Sequence, residues 1–262
     1  MRTAAVVNLK GGVAKSTTAI NMALILITVH KKRVLLVDND IQANVSKFFS
    51  IHSYDYKSME DVLRDEEAIA EDVIRNSGRY GLDIIPANMN MDAAAVDLML
   101  DQEASQLTRL REVLNQVEDR YDYCFIDCPP GVGINVLNAL AAANDVIIPI
   151  KADKNALDGM EELAEVIEEI RPYNPGLSLV KCLVTMFTND IDVVKGEEAL
   201  QKSEYSTFNN HIRFSKRVNS WTYEKGKSLV EVTPRSAATK DYKNLVLEYM
   251  DLTKGKLQHG VE

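Results

Sequence analysis

Little in this chain points to disulfide chemistry, secretion or a membrane. Its 262 residues include only three cysteines, Cys124, Cys128 and Cys182. They form no C-x-x-C pair and no metal-spaced cluster, which suits a reducing cytoplasm and leaves them to be read as core residues. The most apolar stretch, Ile20 to Val29, has only about half the ~20 residues of a membrane-spanning helix. No basic leader precedes it, so a signal peptide is a poor reading and a buried helix a better one. Positive charge is also scarce: 30 Lys and Arg stand against 39 Asp and Glu, a net charge of -9. That balance argues against whole-surface attraction to nucleic acid or anionic lipid and leaves room only for a local basic patch. Internal repeats, low-complexity tracts and obvious linkers are missing too.

What is present is ordinary for a globular protein: 46% hydrophobic and 26% charged residues, in a chain long enough for one large α/β domain. Short β-branched runs alternate with longer helical patterns, the signature of a parallel sheet. Strands are expected at Thr3 to Asn8, Arg33 to Val37, Leu82 to Pro86, Tyr123 to Asp127, Asp145 to Ile150, Leu179 to Met186 and near Ser206 to His211. Several are apolar throughout, so helices should cover both sheet faces. The main helices are expected at Lys15 to Val29, Met91 to Met99, Ser105 to Glu118, Ile134 to Ala143, Leu157 to Ile170, Val193 to Lys202 and Ala237 to Met250, with short ones at Ala43 to Phe49 and Ser58 to Leu63. In the last helix Ala238, Tyr242, Leu245, Val246 and Tyr249 recur at helical spacing and mark its buried face. The polar stretch from Ile51 to Arg79 reads as a surface excursion.

The chemistry begins where the first strand ends. Val6-Val7-Asn8 closes the strand, Leu9 to Ala14 turns, and Lys15-Ser16-Thr17 opens an amphipathic helix. Backbone N–H groups in such a turn can wrap a phosphate, and the helix N-terminus adds partial positive charge. Gly11 and Gly12 permit close approach of the anion; Lys15 would reach its outer phosphates, and Ser16 would ligand Mg²⁺. The phosphate site is therefore Gly11, Gly12, Val13, Ala14, Lys15, Ser16 and Thr17. Leu9 and Ala14 occupy both glycine positions of the pattern G-x-x-x-x-G-K-[ST].

A second lysine, Lys10, completes K-G-G-V-x-K-[ST]-T, which resembles the deviant Walker A loop of the ParA/MinD family of ATPases. The resemblance implies a P-loop domain over residues 1–252, with about seven or eight mostly parallel strands and a flexible tail at 253–262. It also implies ATP and Mg²⁺ as cofactors and a nucleotide-sandwich homodimer in which Lys10 reaches the partner's phosphates. Ala14 departs from the family's usual glycine, and its methyl group is expected to strain the loop or slow hydrolysis.

Two acidic strand ends complete the pattern. Val34 to Asn44 delivers Asp38 and Asp40 to the carboxyl end of a strand, where parallel sheets place ligands. The run is similar to the family's switch I, D-x-D-P-Q-x-N, with Ile41 in place of proline. By that likeness Asp40 orients the attacking water and Asp38 lies near the magnesium. Tyr123 to Asp127 reads as a Walker B strand whose Asp127 holds Mg²⁺. Asp127-Cys128-Pro129-Pro130 and Gly133 resemble the family's switch II, which senses the γ-phosphate. Lys10, Lys15, Asp40 and Mg²⁺ suffice for phosphoryl transfer without a covalent nucleophile. Met186 in Thr185-Met186-Phe187 and Pro234 in Thr233-Pro234-Arg235-Ser236 are similar to family segments beside the adenine. Asp153 replaces a family glutamate further along.

For what the ATPase would drive, three classes stay open. A basic cluster of Arg213, Lys216, Arg217, Lys225 and Lys227, with His211, Trp221 and Tyr223, resembles the nonspecific DNA-binding region of partition ATPases. That reading implies a ParB-like activating protein, and action in the cytoplasm on the nucleoid. It assigns no DNA-reading domain ahead of the phosphate loop. A MinD-like membrane-cycling ATPase needs an amphipathic anchor, and Leu252 to His259 lacks the apolar face for one, so no membrane partner is expected. An iron–sulfur relative needs bridging surface cysteines, for which only Cys128 is a candidate.

Overall fold

The computed structural model describes residues 1–101, 105–153, 156–216 and 226–254. Its seven strands form one sheet: β1 (Arg2–Val6), β2 (Val34–Asp38), β3 (Arg75–Asn76), β4 (Asp83–Ile85), β5 (Tyr123–Asp127), β6 (Asp145–Lys151) and β7 (Leu179–Thr185). They lie in the order β3-β4-β2-β5-β1-β6-β7. Every pairing is parallel except β3 with β4.

Alternation along the strands sends neighbouring side chains to opposite faces, and each face has its own core. Ala5, Leu35, Val37, Cys124, Ile126, Val146 and Ile148 face one way. Ala4, Val6, Val34, Leu36, Tyr123, Phe125 and Ile147 face the other. The first face is covered by α3 (Met59–Arg64), α5 (Met91–Leu100), α6 (Arg109–Asn115), α7 (Ile134–Ala142) and α8 (Ala156–Ile170). The second carries α1 (Lys15–Thr28), α10 (Leu229–Val232) and α11 (Ala237–Thr253). The remaining described helices are α2 (Asn44–Phe48), α4 (Ala70–Val73) and α9 (Ile191–Lys202). Ala238, Tyr242, Leu245, Val246 and Tyr249 are all buried, as their spacing predicts.

Two expectations need correction. The stretch from Ile51 to Arg79 is not a surface excursion: Met59, Val62, Leu63, Ala70 and Val73 are buried in the first core, and β3 extends the sheet. Its apolar residues fall on one side of two short helices, and Ser58 starts α3 with a capping box, Asp61 returning the bond. The segment near Ser206 to His211 is not a strand; it meets β7 through an isolated bridge, Cys182 with Thr207, and a second bridge, Phe187 with Arg213, follows just beyond both. Between them Glu248 takes the N–H groups of Asn209 and Asn210, at 2.8 and 3.3 Å, which pulls that stretch off the sheet edge. At the chain's end α11 runs on to Thr253, whose buried hydroxyl donates to the Tyr249 carbonyl at 2.8 Å. Residues 255–262 of the expected tail lie outside the described residues.

Candidate nucleotide site

The register of three strands builds the site. Val6 of β1 pairs with Asp127 of β5, and Asp127 pairs with Asp38 of β2, so both acidic strand ends lie level at the carboxyl edge of adjacent strands. The loop from β1 into α1 sits beside them. Its N-terminal shape is set by Asn8, whose Oδ1 accepts the Lys10 N–H at 2.8 Å while its Nδ2 donates to the Pro149 carbonyl at 2.8 Å. On the other side Thr185 donates to the Val13 carbonyl at 3.1 Å, which ties the end of β7 to the loop.

Gly12 and Ala14 both adopt left-handed backbone, with φ of 71° and 70°. Glycine takes that conformation freely, whereas an alanine methyl is strained there. Ala14 therefore stands where the geometry calls for glycine. Gly11 and Gly12 are exposed with no atom within 4 Å of an added Cβ, an open cradle rather than a packed turn.

Lys15 is buried, and its Nζ donates to the carbonyls of Lys10 at 2.8 Å and Asn8 at 3.1 Å. Burial lowers its pKa, an effect opposed by the charges of Asp127 and Asp40. Both Asp127 oxygens are buried without a hydrogen-bond partner. Burial, then the nearby charge of Asp38, raises the Asp127 pKa well above the usual carboxylate range, and the neighbouring Ser16 hydroxyl and Lys15 pull it back only in part. An orphaned buried carboxylate beside a phosphate loop is costly unless a cation completes it.

Those oxygens fit Mg²⁺, a hard cation that keeps water and phosphate oxygens among its ligands. Asp127 and Ser16 would hold the ion. Asp38, the third residue expected at the metal, has its Oδ2 accepting from the Ser46 N–H at 2.7 Å and the Ser46 hydroxyl at 2.6 Å, which fixes the start of α2. Burial pushes its pKa up to about 6 despite these bonds.

Asp40 is mostly buried, and its Oδ1 accepts the Gln42 N–H at 2.9 Å. Lys10 lies half-buried at the rim, its Nζ 3.6 Å from Asp153 Oδ1. The Gly131 N–H donates to the Leu9 carbonyl at 3.1 Å, so switch II touches the phosphate loop directly. Met186 lies just past Thr185 with φ of 55°, and Pro234 is exposed in the turn between α10 and α11.

The basic cluster falls only partly within the described residues. Arg213 is gripped by Asp241, its Nε and Nη2 donating at 2.9 and 2.6 Å, so its charge is largely compensated. Lys216 and Lys227 are exposed, while Arg217 and Lys225 lie outside the described residues. Cys128 is buried with its thiol pKa raised by burial, as is Cys124, so neither offers a surface thiol for an iron–sulfur bridge. Sequence reasoning passed over Asn8, Ser46 and Asn135, which shape the site through side-chain hydrogen bonds and carry no motif of their own.

Comparisons with known proteins agree with this fold. Residues 1–179 match a family described as an AAA domain. The chain is 32% identical over 252 residues to the sporulation initiation inhibitor protein Soj of Bacillus subtilis, spanning 93% of this chain and 96% of that one. It is 36% identical over 191 residues to the chromosome partitioning protein ParA of Caulobacter vibrioides, covering 71% and 70% of the two chains. The structure of cobyrinic acid a,c-diamide synthase from Mycobacterium smegmatis with bound ATP analogue and magnesium superposes with a TM-score of 0.82, at 25% identity and 97% of each chain. With relatives at that identity over most or nearly all of its length, the chain belongs to the ParA/Soj family of P-loop partition ATPases.

Proposed function

We propose that this chain binds ATP with Mg²⁺ on the Gly11 to Thr17 loop, pairs into a sandwich homodimer through Lys10, and hydrolyses the nucleotide. In the dimer it holds DNA without regard to sequence, through the Arg213 to Lys227 region, and a ParB-like partner accelerates turnover and release. The cycle drives partition of a plasmid, chromosome or mobile element. The observation that carries the reading is the unpartnered, buried Asp127 carboxylate in register with Asp38 and facing the buried Lys15.

The residues divide the work by position. Lys15, clamped on its own loop carbonyls, offers a fixed positive charge to the outer phosphates. Mg²⁺ would supply charge neutralisation at the phosphate oxygens, with Asp127 and Ser16 as its protein ligands. Asp40, its Oδ1 anchored by Gln42, orients the attacking water. Lys10 stands at the loop rim, where a second copy can be reached. Met186, half-buried beside the loop's anchor Thr185, and Pro234 neighbour the adenine. Binding of an ATP analogue and magnesium by a protein of the same fold at 25% identity supports the cofactor assignment.

No described helix is long and apolar enough to cross a membrane. A DNA-retardation assay with and without ATP, run beside anionic liposomes, tests the reading. Retardation that requires ATP, ignores sequence and falls steeply with salt is expected. Charge reversal at Lys216 and Arg217 should remove it without weakening ATP binding, since Arg213 is already paired with Asp241. Liposome binding without DNA binding would overturn the partition role.

A further inference from the structure

Asn39 lies between the two switch I aspartates and is fully buried. Its Nδ2 donates to the Asn135 carbonyl at 2.9 Å, and Nδ2 of Asn135, in the first turn of α7, donates back to the Asn39 carbonyl at 3.1 Å. The Asn39 N–H donates to the Asp127 carbonyl at 2.9 Å, so one residue is bonded to the strand below and the helix beyond. Asn135 is 8% exposed, and its Oδ1 accepts the Val136 N–H at 3.0 Å. An added Cβ at Gly133 would come within 2.8 Å of that Oδ1, so glycine makes room for the arrangement.

This pair is a poor way to gain stability alone. Asn39 Oδ1 is buried with no hydrogen-bond partner, and burying an unsatisfied polar atom costs free energy that two apolar side chains would not incur. What the pair provides instead is a mutual backbone connection across the site: the peptide joining Asp38 to Asp40 is fastened to the helix that follows switch II.

We infer that Asn39 and Asn135 form a latch that moves the two switches as one body, with Asn135 a positioning residue for Asp40. The inference rests on the reading of Asp40 as the residue that orients water. Movement of the Gly131 to Gly133 loop is transmitted through α7's first turn to the Asp38–Asp40 peptide. Breaking the latch leaves the phosphate loop intact and loosens the carboxylate that must be placed.

The test compares wild type, Asp40→Ala, Asn135→Leu, Asn135→Gln and Asn39→Ala by steady-state ATP hydrolysis with Mg²⁺ and, separately, by calorimetric ATP affinity. Asn135→Leu should lower kcat by roughly tenfold to a hundredfold, the scale of a misplaced catalytic group, while ATP affinity stays near wild type. Asn135→Gln, which keeps the carboxamide, should recover part of the loss. Wild-type kcat in Asn135→Leu, a parallel fall of kcat and affinity, or no difference between the Leu and Gln variants would each overturn the latch. Should Asn135→Leu not fold, Asn39→Ala decides on the same split of kcat against affinity. Wild-type turnover by Asp40→Ala would overturn the role of Asp40 itself, and the latch with it; an inactive Asp40→Ala beside a fully active Asn135→Leu removes the latch alone.

Discussion

Ala14 shows how one side chain sets a measurable cost. Its φ of 70° is a conformation that disfavours any Cβ, at about 1 kcal/mol per residue. Ala14→Gly should therefore stabilise the protein by up to about 1 kcal/mol, less the entropy a glycine brings to the unfolded chain. A urea titration measures it, and a destabilised variant would show that the methyl group makes contacts worth more than the strain. Asp38 gives a second residue-scale expectation. Burial raises its pKa to about 6 in the fold, against about 3.9 when unfolded. Folding is thus favoured by this group below about pH 4, and that contribution is lost as pH rises through about 6. Without nucleotide or Mg²⁺, the urea midpoint of Asp38→Asn should gain on wild type between about pH 4 and pH 7; parallel curves would contradict it. Asp38 and Asp127 were legible in the sequence because each ends an apolar strand, Asp40 because it stands two residues beyond Asp38, and the lysines because they flank the Gly-Gly turn between a strand and a helix. Asn135 was not: it lies in a helix with no patterned neighbour, and its role depends on the carbonyl of a residue far along the chain.

Between elements, a buried charged cluster lies at the opposite end of the sheet from the nucleotide site. Arg2 of β1 donates to Asp145 of β6 at 2.8 and 2.5 Å, and Tyr249 of α11 donates to the same carboxylate at 2.7 Å. All three are buried, so removing the acid strands the guanidinium. Asp145→Ala should cost about 3–5 kcal/mol, read as a lowered urea midpoint, and a loss under about 1 kcal/mol would mean that water solvates Arg2 readily. Nine of the eleven described helices and six of the seven described strands follow from periodicity because each buries a continuous face, whereas the four-residue α4 and α10 are too short to show one. β3 was missed since its two residues are too short to show alternation. The segment near Ser206 to His211 carries strand-like residues, yet Glu248 takes the N–H groups of Asn209 and Asn210.

At the scale of the whole molecule the sheet brings lysines and carboxylates to one edge, so the proposed nucleotide site and the proposed dimer surface coincide. Membership of the family was legible because its motifs lie at the ends of strands, which the fold must place together. The basic cluster was less so: linear proximity of Arg213 to Lys216 says nothing of Asp241, which the last helix brings against Arg213. The most direct measurement is the solution mass, by light scattering, of Asp40→Ala with and without Mg-ATP. Adding ATP should shift it from the 29.3 kDa monomer to twice that mass. No shift is expected in the Asp40→Ala/Lys10→Ala double variant, which still binds nucleotide, and none in Lys15→Ala, which does not. A mass that ignores ATP in Asp40→Ala, or a dimer that forms equally well without Lys10, would contradict the sandwich.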